Sequence, residues 1–411
     1  MVSFASRFGV YVHFPYCLSK CPYCDFASVV AESIPHERYA KAIAAELALR
    51  AAEHGRPEHG VESLYFGGGT PSLWEPRRVG ETIEAVDRLF GLAPSCEITL
   101  EANPGASEAQ RFSELRRSGV NRLSIGVQSF HPAILAGLGR RHSGEEAGDA
   151  LEKARRAGFE NVSLDLIFGG PHQTEAIAEA DVRRAIELGP EHISCYGLTL
   201  EGLAEDVRLA KDVRRGKVQV ADDALQERMG RLVRAALEDA GLRRYEISNF
   251  AKAGFESRHN SLYWMGREYV AAGCGAHGYR PVKDGGLRYG NPRKPEAWLE
   301  AVEAGRSPEV ERDEITRPEL FEERIFLGLR LVDGLDLDRA AAETIGAVPP
   351  STRAAVARLV AQGLLEEEGA WIRCTERGMD YHTEVAVQLL PSGDSTVRGE
   401  PAASKPLLPI I

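Results

Sequence analysis

The chain has 411 residues, 43% hydrophobic and 27% charged, the composition of a soluble globular protein with room for one large barrel and a smaller module. Its net charge of −11 disfavours nucleic acid as a partner, because phosphate binding needs a basic surface. Seven cysteines argue against a secreted disulfide scaffold, no stretch approaches the roughly 18 apolar residues of a membrane span, and the opening MVSFASRFGVYVHF lacks a signal-peptide pattern, so the cytoplasm is the expected compartment.

In chain order, FGVYVHF, VESLYFGG, CEITLEAN, VNRLSIGV, NVSLDLIFG, HISCYGLTL and LRRYEIS each read as a buried strand. Helical patterns lie between them, such as ERYAKAIAAELALRAA with Tyr39, Ile43 and Leu47 on one face. Gly119, Gly158 and Gly241 stand where helices end and strands begin, a C-terminal cap signal. Repeated β–α units predict an α/β fold: a complete or partial (β/α) barrel over residues 1–250, with its chemistry where strands end and loops begin. Residues 251–309 form a connection. Residues 310–390 read as helices with a winged hairpin, a small C-terminal winged-helix-like α+β domain, and 391–411 as a Pro/Ser/Gly-rich disordered tail. Glu366, Glu367 and Glu368 at the supposed wing would repel phosphate, so a lid or docking role fits that module better than nucleic-acid binding.

The first strand runs directly into YCLSKCPYCDF, which carries Cys17, Cys21 and Cys24. Thiolates are soft ligands for zinc or iron–sulfur clusters. Three of them on a four-iron cluster leave one iron open, as a cofactor-binding cluster requires. A structural zinc on the same cysteines, completed by Asp25 or His13, is an equal alternative on spacing alone. Cys96, Cys195 and Cys374 lie in predicted strands and read as small buried hydrophobes.

The C-x3-C-x2-C spacing after a first strand resembles the radical S-adenosylmethionine (SAM) superfamily, and YVHFPYC narrows the likeness to the oxygen-independent coproporphyrinogen III oxidase-like family. The likeness runs motif by motif to about residue 380. It implies a [4Fe-4S] cluster on Cys17, Cys21 and Cys24, with SAM on the fourth iron. The loop YFGGGTPSLW then supplies Gly68, Gly69 and Thr70 to the SAM amino group. By the same resemblance Glu101, Gln128, Arg140 and Asp165 serve the ribose, carboxylate and adenosine surroundings, and Tyr11 and Tyr23 contact the cluster's ligand. A guanidinium suits a carboxylate, which it can grip with two hydrogen bonds; Arg141 beside it is a surface-charge alternative.

Two departures bear on function. Coproporphyrinogen oxidases of this family carry a further cysteine two places after the third and a long N-terminal extension; here Phe26 fills that place and the first strand begins by residue 8. Both features resemble the HemW haem-chaperone branch, as does the motif HNSLYW at 259–264, which implies His259 as an axial haem ligand covered by aromatic rings. Cys274 and His277 in AAGCGAHGYR match the family as well, but backbone demands explain that glycine-rich strand end equally. The resemblance therefore implies haem as cargo and apo-haemoproteins such as respiratory enzymes as recipients, with transient membrane association compatible and oligomeric state open. Oxidative decarboxylation of coproporphyrinogen III by the radical-SAM route stands as the alternative.

Overall fold

The computed structural model describes residues 7–200 and 207–391; the expected disordered tail lies, beyond residue 391, outside the described residues. Six strands, β1 (Phe8–Phe14), β2 (Val61–Gly68), β3 (Leu92–Ala102), β4 (Arg122–Gln128), β5 (Asn161–Phe168) and β6 (His192–Gly197), lie side by side in chain order and parallel. Each crossover carries at least one helix, as parallel neighbours require. Gly119 and Gly158 adopt positive φ at the ends of two crossover helices, and Gly241 does so after the helix Asp223–Asp239 that follows β6.

Side chains alternate across the strands with period two. Val10, Val12, Leu64, Phe66, Leu100, Leu123, Ile125, Val162 and Leu164 face outward and pack under the helices in the main core. The intervening positions face the lumen and are polar: Ser63, Thr99, Ser124, Ser163 and Ser194 are all buried. The lumen of the barrel is thus a polar interior, in which buried hydroxyls demand partners.

Six further short strands of this sheet were not all expected. LRRYEIS is not a seventh parallel strand: only β7 (Arg243–Arg244) and β8 (Asn249–Ala251) are extended, and β8 pairs antiparallel with β6. Its two arginines suit a sheet edge and not a buried strand: Arg243 is exposed, and Arg244 turns its guanidinium onto the Glu246 and Ile247 carbonyls. On the other side β9 (Glu268–Ala272) pairs parallel with β1, followed antiparallel by β10 (His277–Val282), β11 (Gly285–Gly290) and β12 (Glu311–Thr316). The 12-stranded sheet ends on β12 and β7, which do not pair, so the barrel is partial and open. The segment after residue 251 is built into this sheet and closes its flank.

The C-terminal module packs the helices Arg317–Gly328, Leu337–Thr344, Pro350–Ala361 and His382–Leu389 around Phe321, Ile325, Val356, Leu359, Ile372 and Val385. Its wing is the hairpin Leu365–Glu368 and Trp371–Cys374, with Glu366, Glu367 and Glu368 exposed.

Candidate functional site at the carboxyl ends of the strands

Cys17, Cys21 and Cys24 lie half-buried on the loop that leaves β1, all three as free thiols. Thr70 donates its hydroxyl to the Cys17 sulfur at 3.5 Å, and an Arg140 guanidinium nitrogen stands 3.6 Å from the Cys21 sulfur. Burial raises the thiols of Cys17 and Cys24; Cys17 also feels both other sulfurs of the triplet, and Cys24 that of Cys21. A lone zinc fits this set poorly. Among the described residues no three His, Cys, Asp or Glu side chains converge on one point. Both expected fourth ligands are engaged: His13 bonds Tyr11 at 3.0 Å and the Ala27 carbonyl at 2.8 Å, while Asp25 faces Arg293 at 3.5 Å. A cube-shaped cluster takes one thiolate on each of three irons, so the donors need not meet at a point. The donor chemistry fits the cluster.

The glycine loop that ends β2 packs against the cysteine loop. The Gly69 and Thr70 amides donate to the carbonyls of Phe14 and Tyr16 at 2.7 and 3.0 Å. Gly68 has φ +113°, and a Cβ there would lie 2.5 Å from the His13 ring, so only glycine permits this approach. Its amide donates to the Glu101 carboxylate at 3.1 Å, and the Tyr65 hydroxyl donates to the other carboxylate oxygen at 2.9 Å. Burial, offset in part by those bonds, pushes the Glu101 carboxyl up to about 7.

Arg140 reaches in from the loop after β4. It donates to Asn103 Oδ1 and to the Gly126 carbonyl, each at 2.6 Å, and its Nε is buried without a hydrogen-bond partner. Gln128 ends β4 in a left-handed conformation, φ 67°. Gly126 makes room for it, since a Cβ there would stand 2.9 Å from the Gln128 amide nitrogen. Tyr23 packs beside Cys21 and Arg140, where burial raises its phenol. The structure therefore gathers the cysteines, Tyr23, Gly68, Gly69, Thr70, Glu101, Gln128 and Arg140 at one end of the barrel.

Three predicted residues lie elsewhere. Asp165 sits deeper in the lumen, caged by the hydroxyls of Ser124, Ser163 and Ser194 at 2.9, 3.2 and 2.8 Å, where burial raises its carboxyl. Tyr11 lies beneath the glycine loop, its ring centre 6.1 Å from that of Tyr65 and 6.2 Å from that of His259, which are themselves 5.0 Å apart. His259 is not presented at an open face, as its position after the last strand suggests. It is fully buried against Ser63, in the lower half of the lumen, with Nδ1 2.8 Å from the Ser63 hydroxyl and Nε2 2.8 Å from the Tyr263 hydroxyl. The physical reason is the helix Arg258–Trp264, which lies across the amino ends of β1 and β2 and turns His259 inward. Trp264 points to the C-terminal module, under the Arg330 guanidinium at 4.2 Å. Cys274 is buried beside Tyr39, whose hydroxyl accepts from its amide at 3.2 Å, a structural setting.

Sequence reasoning missed Asn103, which ties Arg140 to Thr70 through bonds of 2.6 and 3.2 Å, and the serine cage of Asp165. The recurring small hydroxyls at alternate strand positions were the available signal, because a buried strand seldom spends them without a lumenal partner.

Three thiols and a glycine loop at the carboxyl ends of a parallel partial barrel define a radical SAM protein. The Radical SAM superfamily profile matches residues 11–185, and the HemN C-terminal domain profile matches residues 315–381. The chain belongs to the haem chaperone HemW family within that superfamily. It is 37% identical to the haem chaperone HemW of Mycobacterium tuberculosis over 90% of this chain and 92% of that one. The Escherichia coli K12 HemW is 37% identical over 90% and 94%, and the Bacillus subtilis HemW 33% identical over 92% and 97%. Coproporphyrinogen III oxidase (HemN) from Escherichia coli, a radical SAM enzyme, shares the fold with a TM-score of 0.79 at 20% identity, over 94% of this chain and 90% of that one.

Proposed function

We propose that the chain is a haem chaperone: it binds haem, holds a [4Fe-4S] cluster ligated by SAM, and passes haem to apo-haemoproteins such as respiratory enzymes. The observation that carries this reading is the near full-length kinship with haem chaperones at 37% identity. Phe26, half-exposed on the cluster loop where the oxidases carry a further cysteine, supports it against coproporphyrinogen oxidation.

Cys17, Cys21 and Cys24 would hold the cluster, and the open iron would supply a binding site for the amino and carboxylate groups of SAM. The chain's own residues prepare that place. Glu101 offers an acceptor to an ammonium, and the Gly68 amide fixes its orientation. Arg140, held by Asn103 and Gly126, offers a cation to a carboxylate beside Cys21. Thr70 and Arg140 direct donors at two of the sulfurs, a polar setting for ligands that bind metal as thiolates.

His259 serves haem only after a rearrangement, because both its ring nitrogens are bonded in this conformation. Swinging Arg258–Trp264 away from the barrel would part Nδ1 from Ser63, whereas Tyr263 travels on the same helix and stays a competitor for Nε2. No helix among the described residues is long and apolar enough to cross a membrane.

The test is an anaerobic mixture of the reconstituted protein with SAM and coproporphyrinogen III, beside a haem titration. We expect about one haem bound per chain and no protoporphyrinogen formed. Steady formation of protoporphyrinogen with stoichiometric consumption of SAM would replace the chaperone reading by the oxidase.

A further inference from the structure

A second cavity opens at the opposite end of the barrel from the cysteines. It has a volume of about 450 Å³, within the range of roughly 300–1,000 Å³ typical of ligand sites. Phe8, the first residue of β1, lines it, whereas the cysteines follow the other end of that seven-residue strand. The strand spans about 23 Å at some 3.3 Å per residue, so the cavity and the cluster loop lie on separate faces.

The walls are of two kinds. Phe8, Tyr279, Pro281, Val282 and Leu320 supply an apolar surface. Six basic side chains and three carboxylates complete the lining, an excess of positive charge in a chain of net charge −11. Two carboxylates are already engaged: Glu268 by His54 at 2.7 Å and Glu343 by Arg339 at 2.7 Å. Arg317 is committed to the carbonyls of Thr344 and Lys283, and Arg324 to that of Met265. Arg267 differs: its Nε is buried without a hydrogen-bond partner. Burial first, then the neighbouring Arg324 and, against the Glu343 carboxylate, Arg339, push its pKa down. Arg267 also ends the turn that follows the HNSLYW helix, and Tyr263 lines a smaller cavity that shares Gly266, Arg267, Tyr279 and Leu320 with this one.

An apolar slot rimmed by cations selects a flat apolar molecule carrying carboxylates at one edge. We infer that this cavity is a docking site for the tetrapyrrole, with its propionate carboxylates on Arg267 and Lys283 and its ring against Tyr279, Val282 and Leu320. The inference rests on the haem-chaperone reading and adds to it a place. It separates cargo from cluster by the length of the barrel, so a radical formed at the cluster face would not reach the cargo. That separation is what carrying a porphyrin unchanged requires.

The experiment is fluorescence titration of the cluster-loaded full chain with metal-free protoporphyrin IX, which removes iron ligation from the measurement. The parent is compared with an Arg267→Gln/Lys283→Gln double variant, and the diacid with its dimethyl ester. Loss of two charge-assisted contacts weakens binding tenfold or more. The expected result is at least that loss in the variant, an equal loss for the ester on the parent, and unchanged cluster iron and melting temperature. Equal affinity of parent and variant, with haem still bound, overturns the cavity site and leaves the chaperone reading standing. A parent that binds neither haem nor porphyrin overturns both.

Discussion

The Nε2 of His259 lies 2.8 Å from the hydroxyl of Tyr263, four residues later on the same helix, and this bond decides what the histidine can do. Together with Ser63 on Nδ1, it leaves the imidazole no free lone pair or proton. Desolvation, with the nearby Arg122 charge, pushes its pKa down to about 3, so the ring is neutral at any physiological pH. A neutral imidazole is the form that ligates iron, but here it is locked as a strut between β2 and the helix.

The cluster face supports the plainest prediction. Anaerobically reconstituted protein should hold about four irons and four sulfides per chain, the content of one cube. Cys17→Ala, Cys21→Ala and Cys24→Ala should each lose most of that iron. Cys96→Ala and Cys274→Ala should keep it, since both sulfurs are buried in the apolar core away from the triplet. Iron and sulfide assays with the visible spectrum check this; retention of a full cluster by any triplet variant would rule out that cysteine as a ligand.

How much of this was legible beforehand differs between the two ends of the barrel. The cysteine end could be read because its residues sit in contiguous motifs, YCLSKCPYC and YFGGGTPS, whose resemblance to the radical SAM superfamily decides between the zinc and the cluster that spacing alone leaves open. The six parallel strands were legible because short β-rich runs with apolar residues at alternate positions stand between helical patterns. LRRYEIS failed because a mixed run of arginine and apolar residues has no clear period, and tertiary context made it an edge. The direction in which His259 points was not legible at all. A short helix can present a residue inward or outward, and only the packing of Leu262 and Tyr263 against the barrel fixes the choice. The basic cavity drew on residues from positions 7 to 344, and no local pattern announces such an assembly.

Glu101 should make SAM binding depend on pH. Its folded carboxyl is raised to about 7 from 4.5, chiefly by burial, so a fraction is protonated near neutrality. An ammonium is bound best by the ionised carboxylate, and affinity for SAM should therefore fall as pH drops through 7. Glu101→Gln should bind several-fold more weakly at pH 8 and lose this pH dependence. The paramagnetic resonance spectrum of the reduced cluster, recorded against SAM concentration at pH 6, 7 and 8, gives both quantities. A parallel pH profile in parent and variant would take Glu101 out of the SAM site.

The buried histidine should also shape acid stability. Its folded pKa, about 3, lies below the ordinary 6.5, so between those values the unfolded chain holds a proton that the native ring refuses. Stability then falls as pH falls from 6.5 towards 3. His259→Leu removes this term while costing two buried hydrogen bonds, so it should be less stable than the parent at pH 7.5 by about 2–4 kcal/mol. The gap should narrow by pH 5. Urea denaturation at the two pH values measures it, and a gap that widens on acidification would contradict a buried neutral imidazole.

Tyr263→Phe separates a strut from a ligand. Removing one hydroxyl keeps the ring that packs edge-on against Tyr269, centroids 4.7 Å apart, and leaves His259 Nε2 unbonded. Stability should drop by about 1–3 kcal/mol, the cost of a buried group left without its partner. If the histidine only braces the barrel, haem binding stays as in the parent. If it takes the iron once the helix swings out, the hydroxyl competes with iron for Nε2, and its removal should tighten haem binding by up to about tenfold for each 1.4 kcal/mol of bond relieved. We expect tighter binding in Tyr263→Phe and loss of binding in His259→Ala, with cluster iron unchanged in both. The haem absorption band and the melting temperature, measured on the same preparations, keep ligation apart from folding. Parent-like haem titrations in both variants would confine haem to the basic cavity and leave His259 a structural residue.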